Sequence, residues 1–411
     1  MRIIVVTANL PHGTNEAFIV PEIEELIRAG HDILLVPRSP KGPLLHGRAL
    51  TQHACREGLV SAGVLAAAGT VACESPRWIM KAARVALRSR TAAMCAKNLA
   101  VLPKAFWLAA IAREWKADHI HSHWAGTTAT LAMIAAGIAG VPWSFTAHRW
   151  DIVEDNLLRE KVRTAHLARF ISEDGLEMAR KIGIGNQPSA RVLKMGVELP
   201  AAVERPRGAW PIVLCPARLV EIKGHQFLLK AWRILRERGV HAELWLAGDG
   251  EMRTRIEATI RTFGLQNVVR LLGALPHEEL LRMYKEHPIS AVVLASMDLG
   301  NGQHEGIPVA LIEAMGHGIP VVATTSGGTP ELVRPGTGFL VPPANAVALA
   351  DSIEMLLGDR GLIDEVGQSA RRHVLQTHNL PSVVSSLVEC FAETPLAETP
   401  ANVAQREQAV A

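Results

Sequence analysis

Tyrosine occurs once in the 411 residues, and aromatic residues make up 4% of the chain. Single-stranded nucleic acids are held by aromatic side chains interleaved with basic ones, so nucleic acid is excluded as a partner. The five cysteines (Cys55, Cys73, Cys95, Cys215 and Cys390) are scattered and never spaced C-x-x-C. That spacing excludes a structural zinc site and points to a reducing compartment. No D-x-D is present to hold a divalent metal, so no metal and no cofactor is expected. The longest apolar tract, TATLAMIAAGIAGV, falls short of the roughly 18 residues that cross a bilayer. The opening MRIIVVTANLPHG has too short an apolar run for a secretory leader and reads as a first buried strand. The expectation is a soluble, cytoplasmic protein with at most peripheral contact at the inner face of the membrane.

What is present is globular. Apolar residues are 48% and charged residues 20% of the chain, and the length suits two domains better than one core. The net charge of +3 hides an asymmetry: residues 1–200 carry +7 and residues 201–411 carry −4. Within 77–116 stand nine basic residues against Glu114 alone. Arg77, Lys81, Arg84 and Arg88 recur at helical spacing, with Trp78, Ile79, Ala82, Val85 and Ala86 between them. Such a helix either rests on an anionic membrane surface or is an ordinary solvated face.

Short apolar runs ending in Gly or Pro alternate with helical patterns in both halves, the mark of parallel α/β sheets. RIIVVT, HDILLVP, DHIHSHW, PWSFTAH and ARFISE are the strands of the first half. PIVLCPA, AELWLAG, VVRLLG, AVVLAS, IPVVAT and GFLVP are those of the second. The stretch 196–210 has two prolines and no periodicity. The expected organisation is an N-terminal Rossmann-like domain over 1–198, a linker over 199–210 and a C-terminal Rossmann-like domain over 211–375. A helix over 376–391 packs back on the N-terminal domain, and a disordered tail fills 392–411. Ligands of doubly wound sheets bind at the carboxyl ends of the strands.

Two regions carry chemistry. In CPARLVEIKGHQF, Arg218 follows a strand and Lys223 precedes a helix that begins near Gly224. Two cations beside a helix N-terminus make a seat for a diphosphate, or they are plain surface charge. In HEGIPVALIEAMGHGIPVVAT, Pro308 suits the first turn of a helix that runs to about His317 and ends at Gly318. Glu313 then lies inside an apolar run, six residues past Ile307, or about 9 Å along the axis. A buried carboxylate needs a partner or a ligand. That spacing lets Glu305 hold hexose hydroxyls and Glu313 ribose hydroxyls, and it equally lets Glu313 pair with an arginine. His119, His121 and His123 alternate on one strand face, a pattern for a metal, for acceptor contact or for polar packing. Gly13 lies in the loop after the first strand, where it approaches donor phosphates or simply turns the chain. The loop 297–304 is longer than a connection needs and is placed to shape donor choice.

These segments together resemble family 4 glycosyltransferases. EGIPVALIEAMGHGIPVVAT looks like that family's E-x7-E signature, and ARLVEIKG resembles its phosphate-binding Arg and Lys segment. LWLAGDGEMRTRIEATIRTFGLQNVVRLLGALPHEEL is similar to its middle, and SFTAHRWDI to its N-terminal-domain histidine segment. PHGTNEAFIVPEIEELIRAGHDI is similar to members of the colanic-acid and exopolysaccharide type, and the likeness runs from residue 1 to about 391. The resemblance implies an α/β protein of GT-B architecture, two doubly wound Rossmann-like domains facing each other across a cleft. It implies a retaining, metal-independent transferase that moves a sugar from a nucleotide-diphosphate sugar to a saccharide or lipid-linked saccharide acceptor. The domain over 1–198 is then the acceptor side and that over 211–375 binds the nucleotide sugar: Arg218 and Lys223 hold the diphosphate, Glu305 orients the sugar and Glu313 binds the ribose. The backbone of Gly306, Ile307, Pro308 and Val309 lines sugar and phosphates, and His148 faces the reacting centre. Retention follows from front-side attack by the acceptor, or from Glu305 as a covalent nucleophile. The rivals are a phosphorylase or nucleotide-sugar epimerase on the same fold, and a non-catalytic sugar-binding scaffold.

Overall fold

Two separate parallel sheets organise the computed structural model, which describes residues 1–13, 16–44, 50, 52, 54–203, 206, 208, 210–300 and 304–393. The first sheet comprises β1 (Arg2–Thr7), β2 (Asp32–Pro37), β3 (His119–Ser122), β4 (Trp143–Ala147), β5 (Leu167–Phe170) and β6 (Ala190–Val192). Its order is β2-β1-β3-β4-β5-β6. The second comprises β7 (Ile212–Pro216), β8 (Glu243–Ala247), β9 (Val269–Gly273), β10 (Ile289–Leu294), β11 (Val321–Thr324) and β12 (Phe339–Val341). Its order is β12-β11-β10-β7-β8-β9. Every pairing is parallel.

Strands covered by helices on both faces have no solvent side, so they read as unbroken apolar runs. Ile3, Ile4, Val5 and Val6 in β1, and Val292, Val293 and Leu294 in β10, are accordingly buried. β6 shows the converse. It is a three-residue edge strand with no fully buried residue, so no apolar run announces it in the sequence.

The chain divides into two units. One holds residues 1–171, 176–193 and those from 384 on; the other holds 172–175 and 194–383. The helix Leu380–Ala392 ends within the first unit. There Phe391 stacks on His119 with ring centroids 4.2 Å apart, and His166 bonds through Nε2 to the Cys390 carbonyl. The tail expected to be disordered lies, beyond Glu393, outside the described residues, as do parts of the linker and of the 297–304 loop. All five cysteines are free.

The helix Pro76–Leu87 carries Arg77, Lys81, Arg84 and, just past its end, Arg88, all exposed beside exposed Ile79, Met80 and Leu87. Trp78 turns inward onto Gly137, where a Cβ would stand 2.4 Å from the indole. Lys104, one of the nine basic residues, is not part of that surface. It is fully buried and donates to the carbonyls of Pro37 and Glu57 at 2.5 and 2.7 Å. Among the described residues one helical stretch, Ala92–Glu114, is long and apolar enough to cross a membrane, with a mean hydropathy of 1.2. Its residues Ala105, Phe106, Trp107 and Leu108 belong to the first unit's core. The tract TATLAMIAAGIAGV forms the helix Thr127–Ala139 and is buried almost all round.

A second buried lysine ties this unit together. Lys161 donates to the carbonyls of Ala125, Gly126 and Asn156 at 2.7, 2.8 and 2.5 Å. Lys161→Met keeps the volume but strands three buried acceptors. The expected loss is about 3–5 kcal/mol, read as a lower urea midpoint at unchanged slope.

Candidate active site

The second sheet reverses its winding between β7 and β10, since β8 and β9 lie on one side of β7 and β10, β11 and β12 on the other. In open α/β sheets the ligand crevice forms at the carboxyl ends of the strands at such a reversal. The loop after β7 carries Arg218 and Lys223; the loop after β10 carries Ser296 and Glu305. The two loops touch. Met297 N–H donates to Ile222 O at 2.7 Å, and Gly224, at φ +63°, approaches so closely that a Cβ would lie 1.9 Å from Ala295 O. Only glycine fits there.

That contact sets Lys223 against Glu305. Lys223 Nζ donates to Glu305 Oε1 at 2.7 Å and to Oε2 at 2.8 Å, with side chains 17% and 13% exposed. Ser296 Oγ donates to Oε2 at 3.4 Å, and the Glu305 backbone N–H donates to Ser326 Oγ at 3.2 Å. Gly327, at φ +51°, sits so near that a Cβ would lie 1.9 Å from Glu305 O. Glu305 is thus fixed at both its backbone and its carboxylate. Arg218 is exposed and makes no side-chain hydrogen bond or ion pair among the described residues.

The helix of the E-x7-E segment runs Val309–Gly316. Pro308 is its N-cap at ψ 114°, one residue earlier than the expected first turn, and His317 is its C-cap. Gly306 and Ile307 precede the helix; the N–H groups of Val309 and Ala310 have no intrahelical acceptor, whereas Leu311 N–H already donates to Pro308 O at 3.0 Å. Glu313 is buried at 6% exposure. Its partner is not an arginine: His277 Nε2 meets Glu313 Oε1 at 2.6 Å. His277 opens the helix His277–Glu286 and is 56% exposed, and its hydrogen bond to Glu313 raises it above the usual imidazole range. Nothing in the sequence ties His277 to a carboxylate 36 positions away.

The first sheet reverses between β1 and β3. After β1 the loop turns back on itself through Glu16, a buried carboxylate that accepts from the backbone N–H groups of Ala8, Asn9 and Leu10 at 2.6–2.9 Å. It also accepts from the Trp124 indole at 2.6 Å. Gly13 has φ +70° and donates its N–H to Pro43 O at 3.0 Å. His148, after β4, places Nε2 3.3 Å from His123 Nε2 and lies against Trp124 at a centroid distance of 4.8 Å. His119 and His121 share Ser144 Oγ, each at 2.7 Å, and His121 also reaches Thr146 Oγ1. Burial pushes His148 down to about 4 and His119 to about 3. His121 and His123 are likewise lowered by burial.

Glu22, His121 and His123 bring ligand atoms within 4.8 Å of one another, a geometry that could hold a metal. The buried Arg169 guanidinium, however, donates to both Glu22 oxygens at 3.0 and 2.8 Å. The Glu22 carboxylate is thus already paired with a cation of the chain itself.

Solved structures share the fold. A glycosyltransferase from Rickettsia africae superposes with a TM-score of 0.70 at 17% identity, covering 95% of this chain and 97% of that one. The Anabaena protein HepE, in complex with UDP-glucose, gives 0.70 at 19% identity over 95% and 99%. The fold is GT-B. Residues 202–373 match the family described as glycosyl transferases group 1. Among relatives, the amylovoran biosynthesis glycosyltransferase AmsK of Erwinia amylovora is 39% identical over 139 residues, 34% of each chain. WcaL of Escherichia coli, named for colanic acid biosynthesis, is 33% identical over 260 residues, 59% of this chain and 62% of that one. This chain therefore spans between about a third and three fifths of the length of these relatives.

Proposed function

We propose that the protein is a retaining glycosyltransferase that moves a sugar from a nucleoside-diphosphate donor to a saccharide or lipid-linked saccharide acceptor in cell-surface or extracellular polysaccharide synthesis. The observation that carries this reading is the Lys223–Glu305 pair at the reversal point of a group 1 domain, ahead of the helix that buries Glu313. Without donor, the Lys223 cation is balanced by Glu305. With donor, Lys223 and Arg218 meet the diphosphate, and Glu305 is released to the sugar hydroxyls. Gly306, Ile307, Pro308 and Val309 line the sugar and phosphates, and Glu313 takes the ribose. Leaving-group departure builds charge on the phosphate oxygens, which fixed cations and helix N–H groups stabilise most in the transition state. The acceptor oxygen bonds to the anomeric carbon from the leaving group's side as the carbon–oxygen bond to phosphate breaks, and the acceptor proton passes to that phosphate oxygen. His148 stands on the acceptor side. The relatives named for colanic acid and amylovoran synthesis support the polymer context.

The test is release of nucleoside diphosphate from a panel of nucleotide sugars, with an acceptor extract and with EDTA present. One donor should turn over with its anomeric configuration kept, and EDTA should leave the rate intact. Isomerisation without acceptor, or turnover that requires inorganic phosphate, would move the protein to another reaction class. Loss of rate in EDTA that magnesium restores would show the phosphate chemistry misplaced.

The exposed basic face of Pro76–Leu87, with Ile79, Met80 and Leu87 beside it, suits docking on anionic lipid at the inner face of the membrane. Co-sedimentation with anionic vesicles should fall as salt shortens the Debye length below about 8 Å. Equal sedimentation with neutral vesicles leaves a solvated helix face.

A further inference from the structure

We propose that the loop after β1 is a built seat for an oxyanion whose occupant is the chain's own Glu16, which makes Glu16 a specificity-determining residue. By filling the seat it closes the first unit's strand end to phosphate. The seat stands on the geometry of this unit alone; its consequence for a diphosphate donor rests on the transferase reading above.

Every backbone donor from Ala8 to Gly13 has an acceptor within the chain. The N–H groups of Ala8, Asn9 and Leu10 converge on the Glu16 carboxylate at 2.9, 2.6 and 2.8 Å. Pro11 has no N–H, His12 N–H donates to Asn9 O at 2.9 Å, and Gly13 N–H donates to Pro43 O at 3.0 Å. The indole N–H of Trp124, from the loop after β3, adds a fourth bond to Glu16 at 2.6 Å. Thr7 Oγ1 donates to Leu10 O at 2.8 Å and tightens the turn. Successive backbone N–H groups turned to one point form a concavity for anions, as in phosphate-binding loops.

The means of holding the charge shows what the loop recognises. A buried carboxylate is ordinarily matched by a cation, as Glu22 is by Arg169 six residues further on. Glu16 is 3% exposed and makes no ion pair among the described residues. Four N–H dipoles hold it instead, so the loop is shaped for a compact anion and not for a glutamate as such. β1 and β7 occupy equivalent places, each at the reversal point of its own sheet, where α/β sheets take ligands. The loop after β7 carries Arg218 and Lys223. The loop after β1 presents a negative charge with its N–H groups already taken. A diphosphate is attracted to one strand end and repelled by the other, which leaves the donor a single seat.

The test uses the full chain carrying Lys223→Ala, so that phosphate held by the second unit does not mask the first. Formate and inorganic phosphate are titrated calorimetrically into this protein with and without Glu16→Ala. Formate supplies the deleted carboxylate as a free ion. Removing Glu16 should tighten both anions by about tenfold or more, as expected for recovered charged hydrogen bonds. The NMR resonance of the Trp124 indole N–H, assigned with Trp124→Phe, locates the anion. It should shift in Glu16→Ala and return towards its original position as formate saturates, which a glutamate of merely structural role would not produce. Equal anion binding with and without Glu16, or an indole resonance that formate leaves unmoved, would overturn the seat. Formate binding without phosphate binding would overturn the specificity role. If Glu16→Ala does not fold, formate or phosphate added during refolding should restore it, and failure of both anions to do so also overturns the proposal. Titration of nucleoside diphosphates into the wild-type chain reports on the donor reading alone. If that fails while the anion pattern holds, the transferase reading falls and the seat stands.

Discussion

Lys223→Ala is expected to lower kcat/KM for the sugar donor by about 10²-fold or more, the cost of removing one preorganised transition-state donor. Arg218→Ala should fall in the same range. The two losses have different origins. Arg218 is exposed, so its removal subtracts a phosphate contact and little else. Lys223 holds both oxygens of Glu305, so its removal also leaves a mostly buried carboxylate without its cation. The double variant Lys223→Ala/Glu305→Gln should therefore lose less than the two single losses combined, because the neutral amide no longer needs the cation. Thermal unfolding checks that the domain stays folded. Unchanged kcat/KM in both cation variants would remove the diphosphate seat from this loop.

The two glutamates should fail in different ways. Glu313→Gln keeps the shape but loses an anionic acceptor for ribose hydroxyls, a contact present in ground and transition states alike. Its main effect should be a raised donor KM with a modest loss in kcat. Glu305→Gln acts where bonds change, so kcat should fall far more than donor affinity. A deoxyribose donor should lose less against Glu313→Gln than against wild type, since the contact is already gone. His277 adds a pH dependence. Its hydrogen bond to Glu313 holds its proton to higher pH than an ordinary imidazole, and below that raised value the imidazolium grips Glu313 Oε1. If ribose needs both carboxylate oxygens, donor affinity weakens as pH falls through that range, and His277→Gln flattens the dependence. Should Glu313→Gln simply unfold the domain, with no coupling to the ribose, then Glu313 is a structural partner of His277.

Physical reasons separate what the sequence displays from what it conceals. Parallel strands buried on two faces leave continuous apolar runs, so β1 and β10 are plain in RIIVVT and AVVLAS. The edge strand β6 buries nothing fully and leaves no run. Glu313 is conspicuous because one carboxylate interrupts an apolar helix, but its partner His277 comes from another element and carries no local mark. Arg77, Lys81, Arg84 and Arg88 show their common face by spacing alone. Lys104, in the same basic stretch, is capped by carbonyls distant in sequence, at the end of β2 and at Glu57, and no periodicity announces that. Glu16 and Glu22 are hidden for the same reason. Each is an ordinary acidic residue in NEAFIVPEIEEL until folding brings the β1 loop to one and Arg169 to the other. Backbone pattern is a local property; charge pairing belongs to the tertiary fold.

The central claim is that the β7/β10 reversal point is a nucleoside-diphosphate site organised by Lys223. Calorimetric titration of uridine, guanosine, adenosine and thymidine diphosphates into wild type and Lys223→Ala addresses it directly. The account predicts one-to-one binding of at least one nucleotide to wild type, weakened roughly tenfold to a hundredfold in the variant, as expected for losing a charged hydrogen bond. Binding of equal strength in both proteins, or none to wild type, would contradict it.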